Sequence, residues 1–395
     1  MNYILFEDPQ KNNLAPFTIN HASFEIRCGA FTNIERVNRL MNVGDKLYLI
    51  VQPDFCPIIR ERYPEFIVNP DKIPVGLCLN GATLWDSETL DKINPSQNYS
   101  RDGVLISMSL DEETPLSEFS NRLKSSIQVT LDIPARHFNY LWDTIFAQHE
   151  VLMQDADVFI SNRGGQLHQS VIYDTVDSVF VHDTAKISAG VILDASKGSI
   201  IIDENVTVDI GALIQGPVYI GKNSKINPGA KLRGNIAIGT TCKVGGEVED
   251  VIIHAYSNKQ HDGFLGHSYI GEWVNLGANT NNSDLKNNYS TIRINLSKDL
   301  EINSMQQFLG VLIGDYTKSG ISTMFNSGTV VGLGANVFGS DFKPKFIESF
   351  SWGGAEEKTD FNKFIETCER VKSRRNMELT NAEHKFLKNL YFQLN

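Results

Sequence analysis

Three histidines, His254, His261 and His267, fall within fourteen residues of one another. An imidazole titrates near pH 6.5, so at working pH it can take a proton from a reacting group or, kept neutral, ligate a metal. Zinc ligation by all three would need their nitrogens to converge within about 2.1 Å of one ion. The bland alternative is an exposed ring or a satisfied buried one; it is preferred for His267, and Trp273 beside it reads as packing. Arg27, Lys286, Arg293 and Lys318, with the KSRR run at 372–375, are cations of the kind that hold phosphates, although scattered lysines usually face solvent. The formal charge of −11 argues against general binding to nucleic acid or an anionic membrane, but leaves room for a local basic pocket. Five scattered cysteines without a CxxC read as reduced, mostly buried thiols, hence a cytoplasmic protein. No apolar run approaches the length that spans a bilayer, and the first residues lack the basic start of a secretory signal.

The elements that must carry these residues show a strict rhythm. Ile202, Val208, Ile214, Ile220, Ile226, Leu232, Ile238 and Val244 recur every six residues, with small side chains such as Val206, Ala212, Ala230 and Cys242 four places after them. Val181, Ile187 and Leu193 precede the block; Ile270 and Leu276, then Ile313, Ser319, Phe325, Val331 and Val337, follow it. Six is a multiple of the strand period of two, so every aliphatic position can face one side. Such a hexapeptide repeat predicts a parallel β-helix, with aliphatic residues inside and Gly211, Gly221, Gly229 and Gly239 at its corners. GLGANVFG at 332–339 falls in register with the repeat and reads as corners rather than a phosphate loop; no GxxxxGK[ST] occurs. From Val244 to Ile270 is 26 residues, two more than four repeats, so residues around His261 are expected to leave the coil as a loop.

Residues 1–165 lack the period. Strand-like runs (YILFE, KLYLIVQ, FIVN, GVLISM) alternate with helical patterns (AFTNIERVNRLM, PLSEFSNRLKSSI, NYLWDTIFAQHEVLMQDA), which predicts an α/β domain with a mostly parallel sheet. Residues 166–345 carry the β-helix. Residues 346–395 form a helical segment: Thr359 or Asp360 caps one helix, and Thr380 with Glu383 makes a capping-box pattern for a second. These helices are expected to form a lid on the β-helix.

The chain resembles the bifunctional GlmU-type enzymes, and in HDGFLGHSYIGEWVNLGANTNNSDLKNNY, LAPFTINHASFEIRCGAFTNIERV, YLWDTI and FIESFSWGG it is similar to a divergent bacterial branch of that family. The resemblance implies an α/β nucleotidyltransferase-like domain followed by a left-handed β-helix that acetylates an amino-sugar 1-phosphate with acetyl-CoA, between neighbouring subunits of a homotrimer. It implies uridylyl transfer by the first domain, with Mg2+ compatible there, and so a role in making UDP-N-acetylglucosamine. His261, Gly266, Ile270-Gly271 and Asn275-Leu276-Gly277-Ala278 reproduce the family spacing, which implies His261 as general base, Asn275 as a substrate-orienting residue and the Ala278 backbone against acetyl-CoA. Arg233 matches an arginine that holds the sugar phosphate, and Lys318, with Lys286 and Arg293, would meet the CoA phosphates. Glu249 and Phe264 stand where the family has lysine and tyrosine, with Lys259 as a replacement charge. In the first domain FEDPQKNNLAPFTINHASFEIR takes the place of the glycine-rich nucleotide loop, leaving Arg27 as a phosphate candidate. Phosphorylated amino sugar and nucleotide are thus the implied partners. Two rival readings are a non-catalytic sugar-nucleotide-binding regulatory or assembly protein, and a zinc-dependent carbonic anhydrase-like hydratase using the three histidines. Beyond that trio, no metal-ligand set is read from the sequence.

Overall fold

The computed structural model describes residues 1–128, 130–161, 164–354 and 357–394. Near the N-terminus seven strands form one sheet. Asn2–Phe6 lies between Lys46–Ile50 and Gly76–Asn80, parallel to both, with Ile67–Val68 parallel at one edge. Val104–Leu110 joins antiparallel to Gly76–Asn80, then Tyr99–Arg101 antiparallel, then Leu131–Asp132 parallel at the far edge. The hairpin between Tyr99–Arg101 and Val104–Leu110 turns at Asp102 and Gly103. Both have positive φ (49° and 78°), the requirement of a tight turn matched to strand twist. The four strand-like runs and three helical patterns all form, the last as the helix Asp143–Asp155. Sequence reasoning passed over the Gly76–Asn80 strand and the Cys56–Arg62 helix.

Residues from Gln166 onward wind into a parallel β-helix. Ile202, Ile220, Ile238, Ile253, Ile270, Ile313, Val331 and Ile347 stack strand on strand in register, and all are almost fully buried. A second row runs Ile187, Val208, Ile226, Val244, and a third Leu193, Ile214, Leu232, Val248, Leu265. Each such side chain contributes roughly 1.5–3 kcal/mol by leaving water. The corner glycines divide into two kinds. Gly211 and Gly229 adopt φ near +67°, whereas at Gly239 a Cβ would lie 1.7 Å from the His254 carbonyl oxygen.

The expected excursion between Val244 and Ile270 does not occur. The coils shorten instead: Ile238 pairs with Ile253 and Ile253 with Ile270, spacings of 15 and 17 rather than 18. Two nine-residue strands, Glu247–Ala255 and Phe264–Glu272, pair along most of their length, and His261 sits in the brief turn between Asn258–Lys259 and Phe264. The long excursion comes later: Ile270 pairs next with Ile313, and the hairpin Arg293–Ser297 with Leu300–Asn303 lies between.

Helices Phe361–Ser373 and Asn381–Gln393 close against the β-helix through Trp273, Tyr316, Leu333, Phe350, Phe364 and Leu387. Asp360 caps the first, its Oδ1 accepting from Lys363 N, and Thr380 Oγ1 caps the second by accepting from Glu383 N. The capping box is only half made. The Glu383 carboxylate turns away to accept from Tyr316 OH (2.5 Å) and to pair with Lys372 (2.6 Å).

Candidate functional site

His261 is exposed on its turn, and its backbone carbonyl accepts a 2.5 Å hydrogen bond from Lys259 Nζ. Lys259 follows Val244 in the inward row, where the repeat otherwise places an aliphatic side chain. It is 4% exposed, and burial pushes its amine down to about 8. Lys259 is expected to supply a charge to a sugar phosphate; in the structure its ammonium donates to the His261 carbonyl and braces the turn. Gly246, at φ +72°, leaves the space, since a Cβ there would lie 2.6 Å from that carbonyl oxygen and 2.8 Å from Nζ.

Arg233 is exposed and paired with Glu247 (2.6 Å) and Glu249 (3.2 Å). The glutamate that replaces a family lysine thus neutralises the neighbouring arginine. Asn275 lies in an outward row, bridging the backbones of Asn258 and Lys318, with its Oδ1 3.4 Å from Asn258 Nδ2. The same row holds Lys186, Lys225 and Lys243 below and Asn336 above. Arg375, in the turn after the first C-terminal helix, donates to Asn258 Oδ1. The Ala278 carbonyl accepts from Ser322 N. Lys318 Nζ donates to the carbonyls of Trp273 (2.6 Å) and Tyr316 (3.1 Å), and burial brings it down to about 8. It lines a cavity of about 440 Å³ with Asn336, Trp352, Lys358, Lys363 and Cys368.

His267 has carboxylate partners of its own. Its Nδ1 lies 2.8 Å from Asp284 Oδ2, its Nε2 3.6 Å from Asp250, and its ring stacks on Phe308. Burial opposes its charge, but the carboxylates of Asp284 and Asp250 outweigh that and raise its pKa. The three histidines form no common cluster among the described residues, so the zinc trio of a hydratase is not assembled within the chain.

Arg27 lies elsewhere and is buried. Its backbone N–H donates to Tyr269 OH (3.2 Å), its Nη1 to the Ala30 carbonyl (2.6 Å), and its Nε has no partner. It lines a cavity together with Glu25, Arg62 and Asp315, which belong to a polar network that sequence reasoning missed. His21 Nε2 lies 2.9 Å from Asp315 Oδ2, Arg62 Nη1 contacts His21 Nδ1 and both Glu25 oxygens, and Asn20 Nδ2 donates to Asp315. Burial works against a charged His21, yet Asp315 and Glu25 push it up to about 10. The segment holding Asn20, His21, Glu25 and Arg27 leaves the carboxyl end of the central strand Asn2–Phe6, where open α/β sheets bind ligands. Here it packs onto the β-helix instead: Phe17 stacks on His21 and meets His254 and Tyr269 edge-on. Beneath it, Asp8 accepts from Asn80 Nδ2 (2.6 Å) and faces His137 Nε2 (3.5 Å). The available signal was the LAPFTINHASFEIR motif, but its partner Asp315 is 294 positions away.

Residues 3–164 match the family described as sugar nucleotidyl transferase. The chain is 34% identical over 144 residues to a bifunctional sugar-1-phosphate nucleotidylyltransferase/acetyltransferase of Sulfurisphaera tokodaii, covering 36% of each protein. It is 31% identical over 117 residues to the bifunctional protein GlmU of Methanocaldococcus jannaschii, covering 30% of this chain and 28% of that one. The matches thus span about a third of these relatives' length. Among solved structures, a UDP-N-acetylglucosamine acyltransferase superposes loosely, with TM-score 0.29 and 16% identity over 47% of this chain and 70% of that one. Residues 3–164 are thus similar to sugar nucleotidyl transferases, and the chain's relatives at modest identity include archaeal bifunctional proteins.

Proposed function

We propose that this chain acts in sugar-nucleotide biosynthesis as a divergent GlmU-type protein, its β-helix moving an acetyl group from acetyl-CoA to the amine of an amino-sugar 1-phosphate. The observation that carries the reading is the braced turn: residue 261 presents an exposed imidazole, and a buried lysine on the coil holds its backbone carbonyl. In the proposed step His261 removes a proton as the amine attacks the thioester, and CoA leaves as the thiol. Asn275 orients the sugar. The Ala278 backbone and the row of Lys243, Asn275 and Lys318 receive acetyl-CoA, Lys318 reaching a phosphate only by giving up its bonds to the Trp273 and Tyr316 carbonyls. Arg233 reaches the sugar phosphate by exchanging Glu247 and Glu249 for it. A cytoplasmic homotrimer, with each site shared by neighbouring copies, completes the proposal, as do units at 1–165, 166–345 and 346–395.

Nucleotidyl transfer by the first unit is the second part of the proposal, supported by the family match over residues 3–164. Mg2+ for such a step would be held by one or two carboxylates together with the nucleotide phosphates, not by the one three-residue cluster among the described residues, His21, His254 and Glu272, whose two imidazoles are poor ligands for that hard ion. No step is routed through Mg2+. A non-catalytic role for this unit is favoured by one observation: the carboxyl end of its central strand is covered by the network around His21 and Asp315.

The test is release of free thiol from acetyl-CoA with glucosamine 1-phosphate as acceptor. His261→Ala is expected to lower kcat at least about 100-fold, the usual size of a general-base contribution. An active wild type whose His261→Ala variant keeps its full rate overturns the assignment.

A further inference from the structure

The densest group of titratable side chains lies away from the acetyl-transfer turn, where three stretches of chain meet. His21 comes from the segment after the first strand, His254 from Glu247–Ala255 and Glu272 from the neighbouring strand Phe264–Glu272. One ligand atom from each of the three lies within 4.8 Å of the others. Ligands about 2.0–2.2 Å from a shared tetrahedral ion would stand roughly 3.4 Å apart, so a small rotation of the side chains would close them around one.

A second observation points the same way. His254 is 4% exposed, yet its Nδ1 has no hydrogen-bond partner, and its Nε2 stands 3.7 Å from Glu272 Oε1, too far for a hydrogen bond. A buried imidazole with nothing bonded to it is uncommon and asks for an occupant. Outer groups for a metal site are already in place. Asp315 lies 2.9 Å from His21 Nε2, while Nδ1 faces Arg62 Nη1 at 3.0 Å and Glu25 at 3.3 Å, so an ion taken at Nδ1 must displace Arg62 onto Glu25 alone, with Asp315 then fixing the ring from behind. Three carboxylates, Glu25, Glu272 and Asp315, surround the group. Arg62 is held by Glu25, and Arg27 by the Ala30 carbonyl and, at 3.8 Å, Glu35. A cavity of about 450 Å³ lined by Arg62, His254, Glu272 and Asp315 offers a path in.

We propose that His21, His254 and Glu272 form a site for one divalent transition-metal ion that clamps the segment after the first strand to the β-helix. Two imidazoles and one carboxylate suit zinc and its first-row neighbours, and disfavour magnesium and calcium. On binding, the ion displaces a proton from the ligating nitrogen of His21, and Asp315 holds the ring from behind. The ion is structural and takes no part in acetyl transfer, so the site stands or falls separately from the function proposed above.

The test uses the full-length chain, stripped with a chelator and dialysed free of it. Zn2+ is titrated calorimetrically, and Co2+ is followed by visible absorption. Wild type is expected to take up one equivalent with micromolar affinity or better and to give a Co2+ spectrum of low coordination. His254→Ala and Glu272→Gln are expected to weaken binding at least about 100-fold, as loss of a first ligand exceeds the 10–100-fold cost of losing an outer partner. His267→Ala should bind like wild type. His254→Gln, which keeps side-chain volume and a hydrogen-bonding amide, replaces the alanine variant should the latter not fold. A wild-type chain that binds neither ion, or a position-254 variant that binds both as tightly as wild type, overturns the site.

Discussion

Replacing Lys259 by methionine separates stability from function. The side chain fills an inward slot of the β-helix, and methionine matches its length without the charge. A lysine amine brought from its ordinary 10.5 to about 8 is penalised in its charged form by roughly 3 kcal/mol, at 1.36 kcal/mol per tenfold. The folded state therefore carries that penalty at pH 7. Between pH 8 and 10.5 the unfolded chain holds the proton more tightly than the folded one, so stability rises with pH across that window, and above it the penalty is gone. Lys259→Met removes the term. At pH 7 the gain is offset by loss of the charge-assisted bond to the His261 carbonyl, worth about 1.5–3 kcal/mol, so the net change there is small. The diagnostic quantity is the stability of wild type minus that of Lys259→Met, which should climb by about 3 kcal/mol from pH 7.5 to 10.5. The difference is needed because the buried thiols of Cys78 and Cys242, raised by burial, pull stability down over the same range in both proteins. Urea melts at half-unit pH steps measure it. At pH 7 the variant should keep its fold while acetyl transfer falls in kcat, because the turn carrying His261 has lost its brace. A difference that stays flat with pH would show that Lys259 is not buried as a charged amine, and the account of the turn would fail with it.

Two further outcomes test the charge arrangements. The raised pKa of His267 stabilises the fold fully below its ordinary value of 6.5, and the contribution is lost as pH rises through the folded value; Asp284→Asn should lower the ring's titration midpoint by NMR, with Asp250 as the remaining partner. Lys372→Met leaves the Glu383 carboxylate buried with only Tyr316 OH, and thermal melts should report a loss of about 3–5 kcal/mol, most of it recovered when Glu383→Gln is added.

How much of this could be read in advance follows from the range of each interaction. The β-helix was legible because its signal is local and repeated: Ile202 through Val244 declare one buried face with no need to know what packs on it. The same template failed where the spacing changes. The 26 residues from Val244 to Ile270 read as four repeats plus two, so the coil seemed to open just where it shortens from 18 residues to 15 and 17, with Lys259 in the inward row. The first sheet was legible at Asn2–Phe6, Lys46–Ile50, Ile67–Val68 and Val104–Leu110. The GLCLN of Gly76–Asn80 was lost beside a proline and a glycine that look like a turn. The polar junction was not legible at all: Asp315, His254 and Glu25 carry no shared spacing and meet only once the β-helix has wound past the first sheet. That difference bears on function. His261 could be nominated from a short motif because Gly266, Ile270-Gly271 and Asn275 to Ala278 follow it within eighteen residues. His21 could not, because everything that defines it arrives from the far end of the chain. A segment that gives up the open end of its own sheet to make such distant contacts ties the two halves together, and separating them should cost more than the loss of either neighbour's surface alone. The apolar contacts of Phe17 with His254 and Tyr269 would be exposed at the same time as buried Glu25 and Asp315 lost their partners.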